Sequence, residues 1–243
     1  AWESASKICV FLSQHKIGKK GRIVLLAKNH WVTYPLLVAC NMRQATLIPL
    51  DPDLHRDQLS GILKEAAPSL TIYDEGISVP KLPGNNNTIS LPELISALEP
   101  IQPNSKSRRD MDEKAAAAIV LMIYTSGTTG NSKAVMLTAS NLLANAAALA
   151  ERYQVTQQDR FFCTLPTYHM NALMMTGMVP MVAGASIFLS EILSFKNAKL
   201  FWKRLAEHEI TICSLVPSIM ALLLKLFPRG AKTEIPKLRF GFC

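Results

Sequence analysis

The residues best suited to chemistry lie in one run, Thr125-Ser126-Gly127-Thr128-Thr129-Gly130-Asn131-Ser132-Lys133. Gly127 and Gly130 let the backbone come close to a ligand. Thr125, Ser126, Thr128 and Thr129 place four hydroxyls beside exposed amides, and Lys133 adds a point charge. Amides, hydroxyls and one ammonium together suit the oxygens of a phosphate chain. A hydroxyl-rich surface hairpin would share this composition, but it does not need two glycines and a flanking lysine. The spacing excludes the G-x-x-x-x-G-K-[ST] phosphate loop, because Lys133 follows Gly130 by three and Ala134 stands where that loop has its metal-binding hydroxyl. It also excludes the G-x-S-x-G nucleophile elbow, since Tyr124 lies two residues before Ser126. A second candidate, His169, follows Leu165-Pro166-Thr167-Tyr168. On pattern alone, a histidine so placed is a packing or hydrogen-bonding residue.

The stretch Tyr124 to Leu142, YTSGTTGNSKAVMLTASNL, closely resembles the phosphate-loop signature of the acyl-adenylate-forming superfamily. Its usual form is Y-T-S-G-T-T-G-x-P-K-G-V, followed after a few residues by T-H. The chain departs at Ser132 (usually Pro), Ala134 (usually Gly) and Ala139 (usually His). Leu165-Pro166-Thr167-Tyr168-His169 is similar to the family's L-P-x-x-H segment. Gly184-Ala185, Val216-Pro217-Ser218 and Ala45 to Pro52 match further landmarks, so the resemblance spans nearly the whole chain. Gly21-Arg22 departs from the usual Gly-Asp, at a surface turn.

The resemblance implies an ATP-dependent acyl-CoA synthetase, using ATP, Mg²⁺ and coenzyme A. Thr125, Ser126, Gly127, Thr128, Thr129, Gly130 and Lys133 would hold the β- and γ-phosphates. His169 would lie by the reacting carboxylate and stabilise charge as that carboxylate attacks the α-phosphorus. Peptide-synthetase members place an aspartate after this segment, for an α-amine. Here Tyr168-His169-Met170-Asn171 has no carboxylate, and a buried ammonium without a partner is costly. A small carboxylic acid without an α-amine, fatty or other, is the expected substrate. The family's adenine, ribose and Mg²⁺ contacts and its lysine-bearing domain have no match here, so no metal ligand is assigned. The chain reads as the N-terminal part of a larger enzyme, inactive alone. The rival readings are a non-catalytic truncated paralogue that binds nucleotide or a partner, and an acyl-AMP ligase that loads a carrier protein.

The elements that must position these residues alternate along the chain. Apolar residues at helical spacing mark Trp2 to Lys16, Trp31 to Met42 and His55 to Ala66, and short apolar runs mark strands at Arg22 to Ala27, Thr46 to Leu50 and Leu70 to Tyr73. Residues 75–114 hold prolines, asparagines and a charge run, and read as a long irregular connection with a short helix at Leu91 to Leu98. The phosphate-loop candidate lies between strands Ile119 to Tyr124 and Ala134 to Leu137. Thr138 or Ser140 caps a helix running through Arg152. Strands at Phe161 to Leu165, Ala185 to Leu189, Ile210 to Leu215 and Lys237 to Phe242 alternate with helices from Asn171, over Ala198 to His208 and over Pro217 to Phe227. The expected fold class is α/β: two layered helix–sheet halves of the large N-terminal domain of an adenylate-forming enzyme, incomplete at the C-terminal end. The expected halves are 1–114 and 115–243, layered helix on sheet, standing apart or sharing one continuous architecture.

Composition narrows the partners. The net charge of +8 suits an anionic ligand. The basic clusters Lys16 to Arg22 and Lys106 to Arg109 lack interleaved aromatics for stacking bases, which argues against nucleic acid. The five cysteines form no closely spaced pair, as expected of reduced thiols in the cytoplasm. Asn171, Thr176, Gly177, Pro180 and Gly184 interrupt the weakly polar run from Ala172 to Leu189. It reads as a buried helix followed by a buried strand, not as a membrane span. The methionines Met170, Met174, Met175, Met178 and Met181 suit core filling, and alternatively an apolar acyl pocket.

Overall fold

The computed structural model describes residues 2–80, 87–104, 113–125, 133–227, 235 and 237–242. The chain divides into two compact units, Ala1–Asn141 and Leu142–Cys243. The division falls inside one helix and not at the 114/115 boundary expected from sequence. The reason is strand pairing: the two strands that flank the loop join the first sheet.

In the first unit the elements run α1 (Trp2–Gln14), β1 (Arg22–Leu26), α2 (Thr33–Arg43), β2 (Thr46–Leu50), α3 (Arg56–Ala66), β3 (Leu70–Tyr73), β4 (Thr88–Ser90), α4 (Leu91–Leu98), α5 (Glu113–Ala116), β5 (Ile119–Thr125) and β6 (Lys133–Thr138). They form a six-stranded sheet ordered β4-β3-β1-β2-β5-β6, parallel except for the antiparallel β5–β6 pair. β1 and β2 are almost wholly apolar because a parallel sheet is covered on both faces. Val24, Leu26, Ile48, Leu50 and Met122 pack against Leu59, Ile62, Leu63 and Ala66 of α3. Each such fully buried aliphatic side chain contributes about 1.5–3 kcal/mol. Ile23, Leu25, Leu47 and Leu121, at alternate positions, point to the other face. α4 begins with a reciprocal capping box between Ser90 and Glu93, as its Ser-x-x-Glu spacing requires. β4 was not visible in the sequence, since it is three residues long and follows an asparagine run.

The second unit begins within α6 (Ala139–Arg152) and continues with β7 (Arg160–Cys163), α7 (Met170–Leu173), a π-helical turn (Met174–Met178), α8 (Val179–Ala183), β8 (Ser186–Leu189), a 3₁₀ turn (Ala198–Leu200), α9 (Phe201–Glu207), β9 (Ile212–Ser214), α10 (Pro217–Leu226) and β10 (Phe240–Phe242). Thr138 caps α6: its hydroxyl accepts from the Asn141 N–H at 3.2 Å, and its own N–H donates to Asn141 Oδ1 at 3.1 Å. The four strands are parallel, in the order β10-β9-β7-β8. Phe162, Phe201, Leu205, Ile210 and Cys213 form the core between sheet and helices. The helical run from Met170 to Ala183 is not uniform. Pro180 has no N–H for the Thr176 carbonyl, and the π turn falls just before it. Met174 and Met178 are buried there, while Met170, Met175 and Met181 are half-buried. β8, expected to be buried, is half-buried because it is an edge strand.

The amino ends of three strands are tied by Asp159, which is buried. Its carboxylate accepts from Arg239 Nη1 at 2.6 Å, from Thr211 Oγ1 at 2.7 Å and from the Thr156 N–H at 2.9 Å. Arg239 also donates to the carbonyls of Tyr153 and Gln154 just beyond α6. Four cysteines, Cys9, Cys40, Cys163 and Cys213, are buried, and burial pushes the Cys213 thiol up to about 11. Among the described residues no helix is long and apolar enough to cross a membrane.

Candidate functional site

β5 and β6 form a hairpin whose last rung pairs Thr125 with Lys133. Thr125 Oγ1 donates to the Lys133 carbonyl at 3.3 Å, which closes the neck of the loop. Thr125 and Lys133 are both exposed. The loop candidates Ser126, Gly127, Thr128, Thr129 and Gly130 lie outside the described residues. Val120 to Ile123 are buried and anchor β5. β6 lies at the sheet edge, with Met136 58 % exposed. The rigid side of the hairpin is therefore β5, which pairs with β2 on its other edge. The Lys133 ammonium has no carboxylate partner among the described residues.

Tyr124, one residue before the neck, was not singled out from sequence. Its ring packs on the cluster around Val24 and Ile48, and its hydroxyl is buried with no hydrogen-bond partner among the described residues. Burial, then the Glu65 charge, raise its pKa, with Arg22 opposing them. The phenol thus stays protonated.

The second unit carries its own crevice. From β7 the chain crosses to β8 on one side, then to β9 on the other. The carboxyl ends of β7 and β9 thus flank a topological switch point, where open parallel sheets bind ligands. His169 sits just beyond β7. Its N–H donates to the Pro166 carbonyl at 3.0 Å, and its carbonyl accepts from the Leu173 N–H at 3.2 Å. That turn holds His169 in extended backbone as the N-cap of α7, with an exposed imidazole 4.9 Å from the Tyr168 ring. Ser214, the last residue of β9, is fully buried, and its hydroxyl donates to Asn171 Oδ1 at 2.7 Å. Thr164, just past β7, buries a hydroxyl with no partner among the described residues. Ser214 and Thr164 carry no sequence signal, because each is a single polar residue in or beside a strand.

A hairpin at the edge of a largely parallel sheet, followed along the chain by a second parallel sheet, agrees with the strand–loop–strand reading of the signature. The model of the AMP-binding enzyme family matches residues 1–243. The chain belongs to that family. A sulfoacetate–CoA ligase from Cupriavidus necator is 36 % identical over 163 residues, covering 66 % of this chain and 30 % of the relative. An oxalate–CoA ligase from Arabidopsis thaliana is 32 % identical over 120 residues, covering 49 % of this chain and 23 % of the relative. The chain therefore spans less than a third of the length of these two relatives. Among solved structures, the N-terminal domain of FACL13 from Mycobacterium tuberculosis superposes with a TM-score of 0.85 at 22 % identity, over 98 % of this chain and 60 % of that one. ATP-bound MatB from Rhodopseudomonas palustris gives a TM-score of 0.82 at 21 % identity, over 98 % of this chain and 47 % of that one. These likenesses show the fold: the N-terminal domain of the family.

The described residues fit a phosphate chain, because the hairpin neck presents an unpaired ammonium. They do not offer a metal site: among them no group of three His, Cys, Asp or Glu side chains gathers.

Proposed function

We propose that this chain is the phosphate- and acid-binding part of an ATP-dependent carboxylate–CoA ligase. The carrying observation is the β5–β6 neck, which ties Thr125 to Lys133 and leaves the Lys133 charge exposed, with no carboxylate partner among the described residues. Lys133 and the donors of Ser126 to Gly130 hold the β- and γ-phosphates. Thr125 fixes the width of the loop, its hydroxyl proton being used at the neck. In the first half-reaction an acid carboxylate oxygen bonds to the α-phosphorus of ATP. The bond from that phosphorus to the bridging oxygen breaks, and pyrophosphate leaves with its charge held by the loop. His169 stabilises the charge that develops at the reacting carboxylate. In the second half-reaction the coenzyme A sulfur bonds to the acyl carbon and AMP leaves. Mg²⁺ offsets phosphate charge when bound, and no described residue is assigned to it.

The acid lacks an α-amine, since Tyr168 to Asn171 offers no carboxylate to an ammonium. The acids that name the two ligase relatives, sulfoacetate and oxalate, also lack one. Five cysteines with no closely spaced pair fit a reducing, cytoplasmic setting. The 243-residue chain acts only together with the rest of the enzyme.

The test is acid-dependent pyrophosphate exchange by the full-length protein. Thr128→Ala and Lys133→Ala are each expected to lower exchange about tenfold or more, from loss of charge-assisted hydrogen bonds of about 1.5–3 kcal/mol. Unchanged exchange in both variants removes the phosphate-loop assignment. ATP binding without exchange, for any acid, identifies a non-catalytic binding protein instead.

A further inference from the structure

Asn171 stands at the switch point of the second sheet, two residues after His169, and its side chain is held from below. The Ser214 hydroxyl, buried at the carboxyl end of β9, donates to Asn171 Oδ1 at 2.7 Å. Taking the amide oxygen orients the rest of the group. The NH₂ is turned away from Ser214, has no partner among the described residues, and belongs to an exposed residue. An amide held this way is a donor of fixed direction, able to give two protons to one or two acceptor oxygens. It stands in the crevice outside the strand carboxyl ends, where a parallel sheet places its ligand.

We infer that Asn171, oriented by Ser214, is a specificity-determining residue of the acid site, recognising a second oxygen-bearing group, carboxylate or sulfonate, on a short acid. This rests on the ligase reading proposed above. A neutral double donor stabilises an oxyanion and does nothing for an alkyl chain. An alkyl end covers this exposed donor without giving it a partner and so costs it its bonds to water, and the same donor therefore disfavours acids that end in a methyl group. The crevice therefore selects by hydrogen bonding, and the half-buried methionines of the following helical run are packing residues.

The experiment measures exchange by the full-length protein with malonate and sulfoacetate on one side and propionate and hexanoate on the other. Wild type is expected to prefer the first pair by about tenfold or more in kcat/KM. Asn171→Ala is expected to remove that preference by raising KM for the first pair about tenfold while KM for propionate and hexanoate falls, with KM for ATP within about twofold of wild type. Asn171→Asp, of nearly the same size, is expected to lose malonate and sulfoacetate through like-charge repulsion. Ser214→Ala shifts the ratio in the same direction by a smaller factor, and Ser214→Thr restores it. If Asn171→Ala lowers turnover equally for all four acids, the pair is only a structural staple and the inference falls while the ligase reading stands. A wild-type preference for propionate or hexanoate overturns it as well. No exchange with any acid overturns the ligase reading and this inference with it.

Discussion

His169 carries no side-chain hydrogen bond as an N-cap, and its imidazole is exposed at the mouth of the β7–β9 crevice. A group held by its backbone and free at its ring suits a charge that develops during reaction, not one already present in the ground state. His169→Ala in the full-length protein is therefore expected to lower the exchange rate about tenfold or more while KM for ATP changes little. A variant with full turnover for every acid tested makes His169 a packing residue. At this scale Lys133 and His169 were legible because each stands at a fixed place in a long motif. Ser214 was not. Its partner Asn171 lies 43 residues away in sequence, and only the pairing of β9 with β7 brings them together. Thr125 was legible as part of the motif, but its hydroxyl bond to the Lys133 carbonyl needs the hairpin register.

The elements of the second unit are closed by two devices away from the crevice. Asp159 is the first. Burial raises its pKa, but the bonds from Thr156, Arg239 and Thr211 outweigh that and hold the carboxyl below the usual aspartate range. A depressed folded-state pKa contributes stability above the unfolded value, about 3.9, and that contribution is lost as pH falls through the folded value. Asp159→Asn is expected to flatten this acid loss: its melting temperature lies below wild type at neutral pH, and the gap narrows below about pH 4. A gap independent of pH excludes the carboxylate as its source. Gly184 is the second device. It ends α8 at φ 72°, where Ala185 N–H donates to the Pro180 carbonyl at 2.8 Å. A Cβ there meets only Gln157 Cβ at 3.8 Å, so the cost of Gly184→Ala is backbone strain alone, about 1 kcal/mol. Gly184→Asn, which tolerates this conformation better, is expected to melt between wild type and Gly184→Ala.

For the molecule as a whole, transition-state stabilisation requires groups held together on both sides of the α-phosphorus. In the proposed function the chain supplies the loop for the leaving pyrophosphate, and it spans 30 % of its sulfoacetate–CoA ligase relative. The purified 243-residue chain is expected to give no acid-dependent exchange with ATP, Mg²⁺ and short or long acids. Exchange well above a Lys133→Ala control shows that the minimal enzyme is smaller than proposed. β10 lies at the edge of its sheet with half-buried aromatic side chains, and such an edge can pair with another chain. Self-association of the isolated chain, read by light scattering, is the expected accompaniment.

The order of elements was legible in the sequence, because apolar period and breakers act locally. The helix at Leu91–Leu98 follows from Ser90 and Glu93, and β2 follows from Leu47, Ile48, Pro49 and Leu50 before Asp51-Pro52. The loop motif was legible because its glycines, hydroxyls and lysine are contiguous. Which strands pair was not. β5 and β6 were expected in the second half, yet β5 lies beside β2, with Leu47 opposite Leu121. Strand neighbours are chosen by the burial of whole faces between residues far apart in sequence, and no local pattern encodes that choice. For the same reason the crevice between β7 and β9, and the Ser214–Asn171 pair within it, exist only in the folded chain.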